Sequence, residues 1–402
     1  MKMSFTLGAA PHRLMFLAGT LQALLAMGFW MSVMGVRAGL WPATAWPLFA
    51  ALPPAWWHAE VMLAGVLGFF ICGFILTAGP RWQGQGDLPP TRYLPAFGLL
   101  AGGALGVWLA LVLPWLLAPS LFLASSGLAV VAITLAGVAR QPAAGHEHIA
   151  CASLALTLGA AGLALLATFA LNILDAGAAR LGIGLLLWGF VLPIFLVVTH
   201  RMLPFFTGSA LTGYVARRPS WALRLLLIAS LGHGALDGLG LIFWRGGVDL
   251  SAALTALYLS WCWWDARVPG QRMLLVLHGA FAWVGLAFLL FASESAASTL
   301  RPGLFGLAPL HALTLGYCSA MLVGMASRVV LGHSGRPIVA EGTMWWAFWL
   351  MQVTALLRVA SDLLAAPLLP WLASGCWLVA FGGWVWHYAP LLWQPRRDGR
   401  PG

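Results

Sequence analysis

The sequence predicts an all-α, polytopic membrane helix bundle of about twelve transmembrane helices. Three observations carry this. The 402 residues are 61% hydrophobic and only 8% charged, against about 25% charged in a typical soluble domain. Their mean hydropathy is +0.90. The apolar runs are ~20 residues long, enough to cross the hydrocarbon core as helices, and they lack the period-2 alternation of a membrane β-barrel.

Taken in order, the spans are predicted at 14–36, 57–79, 94–112, 115–139, 149–173, 181–205, 220–243, 250–265, 273–294, 307–331, 343–368 and 370–393. Pro114 and Pro119 are the only punctuation between the third and fourth. The eighth is short and ends in the Trp-rich W-C-W-W-D. No intervening loop can hold a soluble domain, and no clear sequence repeat is visible. Residues 1–402 therefore form a single transmembrane domain, with 394–402 as a short cytoplasmic tail.

Charge orients the bundle. With a cytoplasmic N-terminus, four of the 21 Lys and Arg residues (Arg37, Arg180, Arg245 and Arg301) fall outside and Arg358 falls within a span, leaving sixteen inside. That asymmetry predicts cytoplasmic termini. It also accounts for the +10 net charge without a nucleic-acid partner, because the basic residues are scattered through short loops. Trp56, Trp57, Trp345, Trp346, Trp371 and Trp393 lie near helix ends, as expected of an aromatic belt. The five cysteines fall in apolar runs without a CxxC pair, so no disulfide framework is expected. No cleavable signal peptide is evident: the first apolar run is full length and lacks a small-residue cleavage site.

The candidate functional residues are the polar groups within or beside the spans. His58 opens the second span and His311 the tenth, so both sit near the outer face. His233 lies near the middle of the seventh, with Asp237 at i+4 placed to hold its ring. His278 is in the inner third of the ninth span, His200 near the inner end of the sixth, and His12 and His333 flank spans on the inner side. His387 lies among Trp384, Trp386 and Tyr388. His146 and His148 are expected in a solvated loop. Imidazole suits haem iron and copper, although each ring alone is also compatible with a hydrogen bond to a neighbouring helix.

Two further patterns concern charge and helix faces. Arg358 and Asp362 form an i, i+4 pair in the outer half of span 11, where the arginine either pairs with the aspartate or reaches an anionic ligand. His311, Thr314 and Cys318 share a face on an ideal α-helix, and Met325 continues it. Met321, Met325 and Cys318 offer either packing or soft copper ligands. Three helix exits, T-A-G-P-R-W from Thr77, T-H-R-M-L-P-F-F-T from Thr199 and S-R-V-V-L-G-H-S-G-R-P from Ser327, each set Arg beside Gly or Pro. No catalytic triad, phosphate loop or nucleotide fingerprint appears.

The stretches W-H-A-E-V-M-L-A-G (Trp57–Gly65), R-M-L-P-F-F-T (Arg201–Thr207), H-A-L-T-L-G (His311–Gly316) and M-A-S-R-V-V-L-G-H-S-G-R-P (Met325–Pro337) closely resemble the NnrS family. The resemblance implies a bacterial inner-membrane protein that binds haem, of b type, and copper. It also implies a role in the nitric oxide response of denitrifiers and in resistance to nitrosative stress. His58, His311, Arg201, Arg328, His333 and Arg336 match the family pattern. Two positions depart from it: Glu60 stands where a second histidine is expected, and His200 replaces a glycine.

The expected function is a haem- and copper-containing redox protein that binds or turns over nitric oxide. If it is an enzyme, it is an oxidoreductase. Cofactor-binding candidates are His58, His311, His233, His278, Arg358, Arg201 and Arg328, and metal-ligand candidates are His58, His311, His12, His200, His233, His278 and His333. The electron donor stays unassigned. The alternatives are a copper or haem transporter, against which the lack of an inverted repeat counts, and a non-catalytic metal-loaded sensor.

Overall fold

The structure, a computed structural model, describes residues 7–42, 52–140, 146–298, 300–340 and 342–399. Lys2, Arg400 and the last three residues of the predicted tail lie outside the described residues, as does the side chain of His146. Among the described residues the chain is helical, with no strand, and it contains twelve long helices. They are α1 (Pro11–Arg37), α2 (Pro54–Trp82), α3 (Pro90–Leu109), α4 (Leu117–Ala139), α5 (His146–Ala170), α6 (Ala176–Ala210), α7 (Ser220–Gly238), α8 (Ile242–Trp263), α9 (Arg272–Ala297), α10 (Ala308–His333), α11 (Gly342–Leu363) and α12 (Leu369–Tyr388).

Seven of these, α1, α2, α4, α5, α6, α9 and α10, are long and apolar enough to cross a membrane on length and composition alone. The others are shorter or more polar. The predicted eighth span began at residue 250, whereas α8 begins at Ile242 and takes Arg245 into the bundle. That corrects the assignment of Arg245 to a loop: three carboxylates neutralise it there, as described below.

Local chemistry sets the helix ends. Pro11, Pro54 and Pro90 occupy first-turn positions, where a missing N–H costs nothing. The Asp175 carboxylate caps α6 by accepting from the Gly177 and Ala178 N–H groups. Gly240, at φ +70°, makes the reversal between α7 and α8, a conformation open to glycine at little cost.

Most consecutive helices pack side by side, and the bundle closes where α12 meets α1. Arg13 of α1 donates to the carbonyls of Leu392 and Gln394, both at 3.0 Å, so the two chain ends lie on one face of the bundle. Helices α2, α6 and α10 fill the centre, each with 78% of its most apolar stretch buried. Each of the three contains a π-helical segment, at Val61–Leu67, Leu185–Val191 and Ala312–Ser319. These recur at the second helix of each successive set of four.

In α6 the segment ends just before Pro193. A proline there has no N–H for the helical ladder and crowds the preceding turn. The displaced backbone is put to use, because the Trp188 carbonyl accepts from the Ser230 hydroxyl at 2.7 Å. In α10 the segment changes the phase of the helix. The face drawn through His311, Thr314 and Cys318 on a 3.6-residue period is therefore not continuous. The aromatic belt also needs correction at Trp57, which is 2% exposed and packs against Phe29 and Trp108.

Candidate metal centres: paired histidines at both ends of the bundle

The polar residues of the sequence gather into pairs. No group of three or more His, Cys, Asp or Glu side chains poised to hold a metal ion occurs among the described residues.

The first pair is His58 and His311. Helices α2 and α10 both start at the same end of the bundle, and their histidines line one narrow cleft, about 30 Å³ in volume, together with Arg358, Thr354, Ser374, Trp30 and Trp377. Trp30 lies flat on the His58 ring, with centroids 4.0 Å apart and planes 11° apart. The His58 Nδ1 is buried with no hydrogen-bond partner among the described residues. His311 Nδ1 is 3.0 Å from the Leu307 carbonyl. A carbonyl only accepts, so Nδ1 carries the proton and Nε2 the lone pair. Arg358 binds Asp362 at 2.6 Å, as the i, i+4 spacing predicts, and also the Ser361 hydroxyl at 2.6 Å.

The second pair lies at the opposite end, where α1 begins and α10 finishes. His12 and His333 have ring centroids 4.3 Å apart, and the Thr77 hydroxyl approaches His12 Nδ1 at 3.4 Å. The third pair is unexpected. His148, predicted to be solvated, is half-buried. Its Nε2 is 3.5 Å from His200 Nδ1, and His200 Nε2 donates to the Pro219 carbonyl at 3.2 Å. The physical reason is that α5 starts at His146, so His148 is on a helix packed against α6 rather than in a loop.

The predicted His233–Asp237 contact is also replaced. His233 Nδ1 instead binds Asp249 of α8 at 2.6 Å, with both side chains almost fully buried. Asp237 goes to Arg245, which also meets Glu294 at 2.5 Å and Asp249 at 3.5 Å. The ring of His233 is boxed by Trp188 at 3.7 Å and Phe291 at 4.5 Å. Asp249 was missed because the eighth span was started one residue beyond it. A lone acid in an apolar run is itself a signal.

His278 is hydrogen-bonded to Thr207 at 3.1 Å. Neither His233 nor His278 lines the His58 cleft. Arg201 and Arg328 stand at the far ends of α6 and α10. Arg201 sits 5.0 Å over the Trp82 ring, and Arg328 sits 3.8 Å over Phe206, reaching Ser209 at 3.4 Å. Arg336 donates to Gln394 at 3.1 Å. Close contacts thus join the exits of α6 and α10, though not around the His58 cleft.

The α12 helix connects the two ends with a column of rings. Trp377, Phe381, Trp384 and Tyr388 stack with centroids 4.8, 5.3 and 5.4 Å apart.

A multi-helix apolar bundle with buried, paired histidines is a polytopic membrane protein with a polar interior. The chain belongs to the NnrS family, whose model, described as NnrS protein, matches residues 6–396. Membership points to a membrane protein related to the nitric oxide response. Comparison with curated proteins finds no match.

Proposed function

We propose that this chain crosses the bacterial inner membrane twelve times with both termini in the cytoplasm, and that it is a haem- and copper-binding protein that binds or turns over nitric oxide. The shared face of the two chain ends supports an even number of crossings. Moving Arg245 into the bundle leaves only Arg37, Arg180 and Arg301 against the sixteen basic residues of the inner side, which sharpens the positive-inside asymmetry. A reporter fused to the C-terminus is expected to be active only as a cytoplasmic fusion, and periplasmic activity would refute the orientation.

The observation that carries the cofactor reading is the His58–His311 cleft. A porphyrin supplies four equatorial nitrogens, so a haem needs only one or two axial side chains from the protein. Pairs rather than triads of histidine fit that requirement. His311 has its proton fixed on Nδ1 and presents Nε2. His58 carries a buried, unpartnered ring nitrogen, which costs about 1–3 kcal/mol unless something binds it. Trp30 holds the His58 ring in one orientation. Arg358 stands on the cleft wall paired with Asp362 at 2.6 Å, so a propionate would share or exchange that partner.

When bound, the haem supplies a redox-active iron able to coordinate a diatomic ligand. The protein's part is to fix the two imidazoles, with Trp30 stacked on His58 and the Leu307 carbonyl holding His311 Nδ1. His12 and His333 are the corresponding candidates for copper at the other end.

The test is metal analysis with reduced-minus-oxidised spectra of the purified protein. Wild type is expected to carry stoichiometric haem iron. His58→Ala or His311→Ala should lose or shift its bands, while His387→Ala, away from the cleft, should not. Folded His58 and His311 variants with the wild-type haem content and spectrum would refute the assignment.

A further inference from the structure

The three central helices enclose a second space that is separate from the His58 cleft. It has a cavity volume of about 50 Å³ between α1, α2, α6 and α10. Phe16, Phe70, Phe195, Met321 and Met325 form its walls, and Thr199 is its one polar side chain. The Thr199 hydroxyl is already engaged by the Tyr317 hydroxyl at 2.8 Å. A buried water needs two to four polar partners, so a space lined in this way stays dry and accepts apolar guests. Most of its walls are buried, with Phe16 and Phe70 2% exposed and Met321 1%, while Phe74 is partly exposed. A volume of about 50 Å³ takes a diatomic but not a lipid chain.

The space is close to the candidate metal centre. On α10, Leu315 lines the cleft and Leu322 the cavity, seven residues apart, or about 10 Å at the helical rise. Aromatic rings link the two: Trp377 of the cleft stacks on Phe381 at 4.8 Å, and Phe381 meets Phe70 of the cavity at 6.2 Å.

We propose that this cavity is a binding site for a small, uncharged, apolar molecule of diatomic size that partitions from the bilayer and is held beside the cleft. Naming nitric oxide as that guest rests on the function proposed above. The existence of an apolar gas site does not. Four helices meet around flat rings and flexible methionines, and Ala326 contributes only a methyl group to the wall. A ring at position 326, or at Val198 on the facing helix, fills the space.

Crystals of the full chain pressurised with xenon test the proposal. Xenon is expected between Met325 and Phe195 in the wild type and is expected to be lost in both Ala326→Phe and Val198→Phe. The two variants fill the space from different helices, so misfolding of one leaves the other informative. A wild-type cavity that holds no xenon, holds ordered water or holds an acyl chain overturns the proposal. So does xenon that persists in the filled variants. The reduced-minus-oxidised spectrum is recorded on the same samples. Xenon bound without any haem signal sinks the haem reading and leaves the gas site standing, and the reverse result does the opposite.

Discussion

Replacing Arg245 with methionine removes the cation at the centre of a buried cluster. The arginine side chain is 5% exposed and the Asp249 side chain 0%. Once the guanidinium is gone, Asp249 keeps only His233, and Glu294 loses its 2.5 Å partner. Breaking a buried ion pair by removing one member costs about 3–5 kcal/mol, because an uncompensated charge is left in a poorly polarisable interior. At about 1.4 kcal/mol per factor of ten, that raises the unfolding equilibrium constant by roughly a hundred- to a few thousandfold.

Asp237 provides the internal control. It also contacts Arg245, but its side chain is 51% exposed, so solvent screens the pair and Asp237→Asn is expected to cost less than about 1 kcal/mol. The double variant Arg245→Met/Asp249→Asn should recover part of the loss, since it removes both charges. Unfolding by sodium dodecyl sulfate in mixed micelles, followed by tryptophan fluorescence, measures all four proteins. An Arg245→Met variant within about 1 kcal/mol of wild type, or no more costly than Asp237→Asn, would refute the reasoning.

Deleting Leu313 from the π segment of α10 should restore an α-helix and turn His311 by about 100° relative to the rest of the helix. Helix content by circular dichroism is then expected to survive while the His311-dependent haem band is lost, and an unchanged spectrum would contradict the role given to the segment. Gly182 packs so closely on α5 that an added Cβ would stand 2.7 Å from the Gly162 carbonyl oxygen. Gly182→Ala should therefore cost about 1–3 kcal/mol in the same unfolding assay, whereas Gly184→Ala, with nothing within 4 Å, should be neutral or stabilising; equal effects would argue against the close approach. Hydrogen bonds from Arg81 hold the Asp87 carboxyl below its ordinary range. With a depressed folded-state value, its stabilisation is present above about pH 4 and is lost as the pH falls below that. Both side chains are at least half exposed, so Asp87→Asn should flatten the acid limb of the stability curve by less than about 1 kcal/mol, and a larger loss at neutral pH would be inconsistent with a screened pair.

Composition and the length of the apolar runs were enough to establish a helical membrane protein and to place most helices within a few residues. Those properties are set by the backbone's need to satisfy its own hydrogen bonds in lipid. Short-range features were equally legible. The Arg358–Asp362 pair follows from i, i+4 spacing, and the matched depth of His58 and His311 follows from each opening a helix of the same direction. What the sequence could not supply was partnership across helices. His12 meets His333 from the other end of the chain, His148 meets His200, and His233 takes Asp249 rather than the nearer Asp237. Spacing along one helix gives the face of a residue only while the period stays at 3.6, and the three π segments break that period in the helices that matter most. Which histidines pair, which charge neutralises Arg245 and where an apolar cavity is left open were settled by how nine helices pack around three, because packing between segments far apart in sequence leaves no local pattern to read.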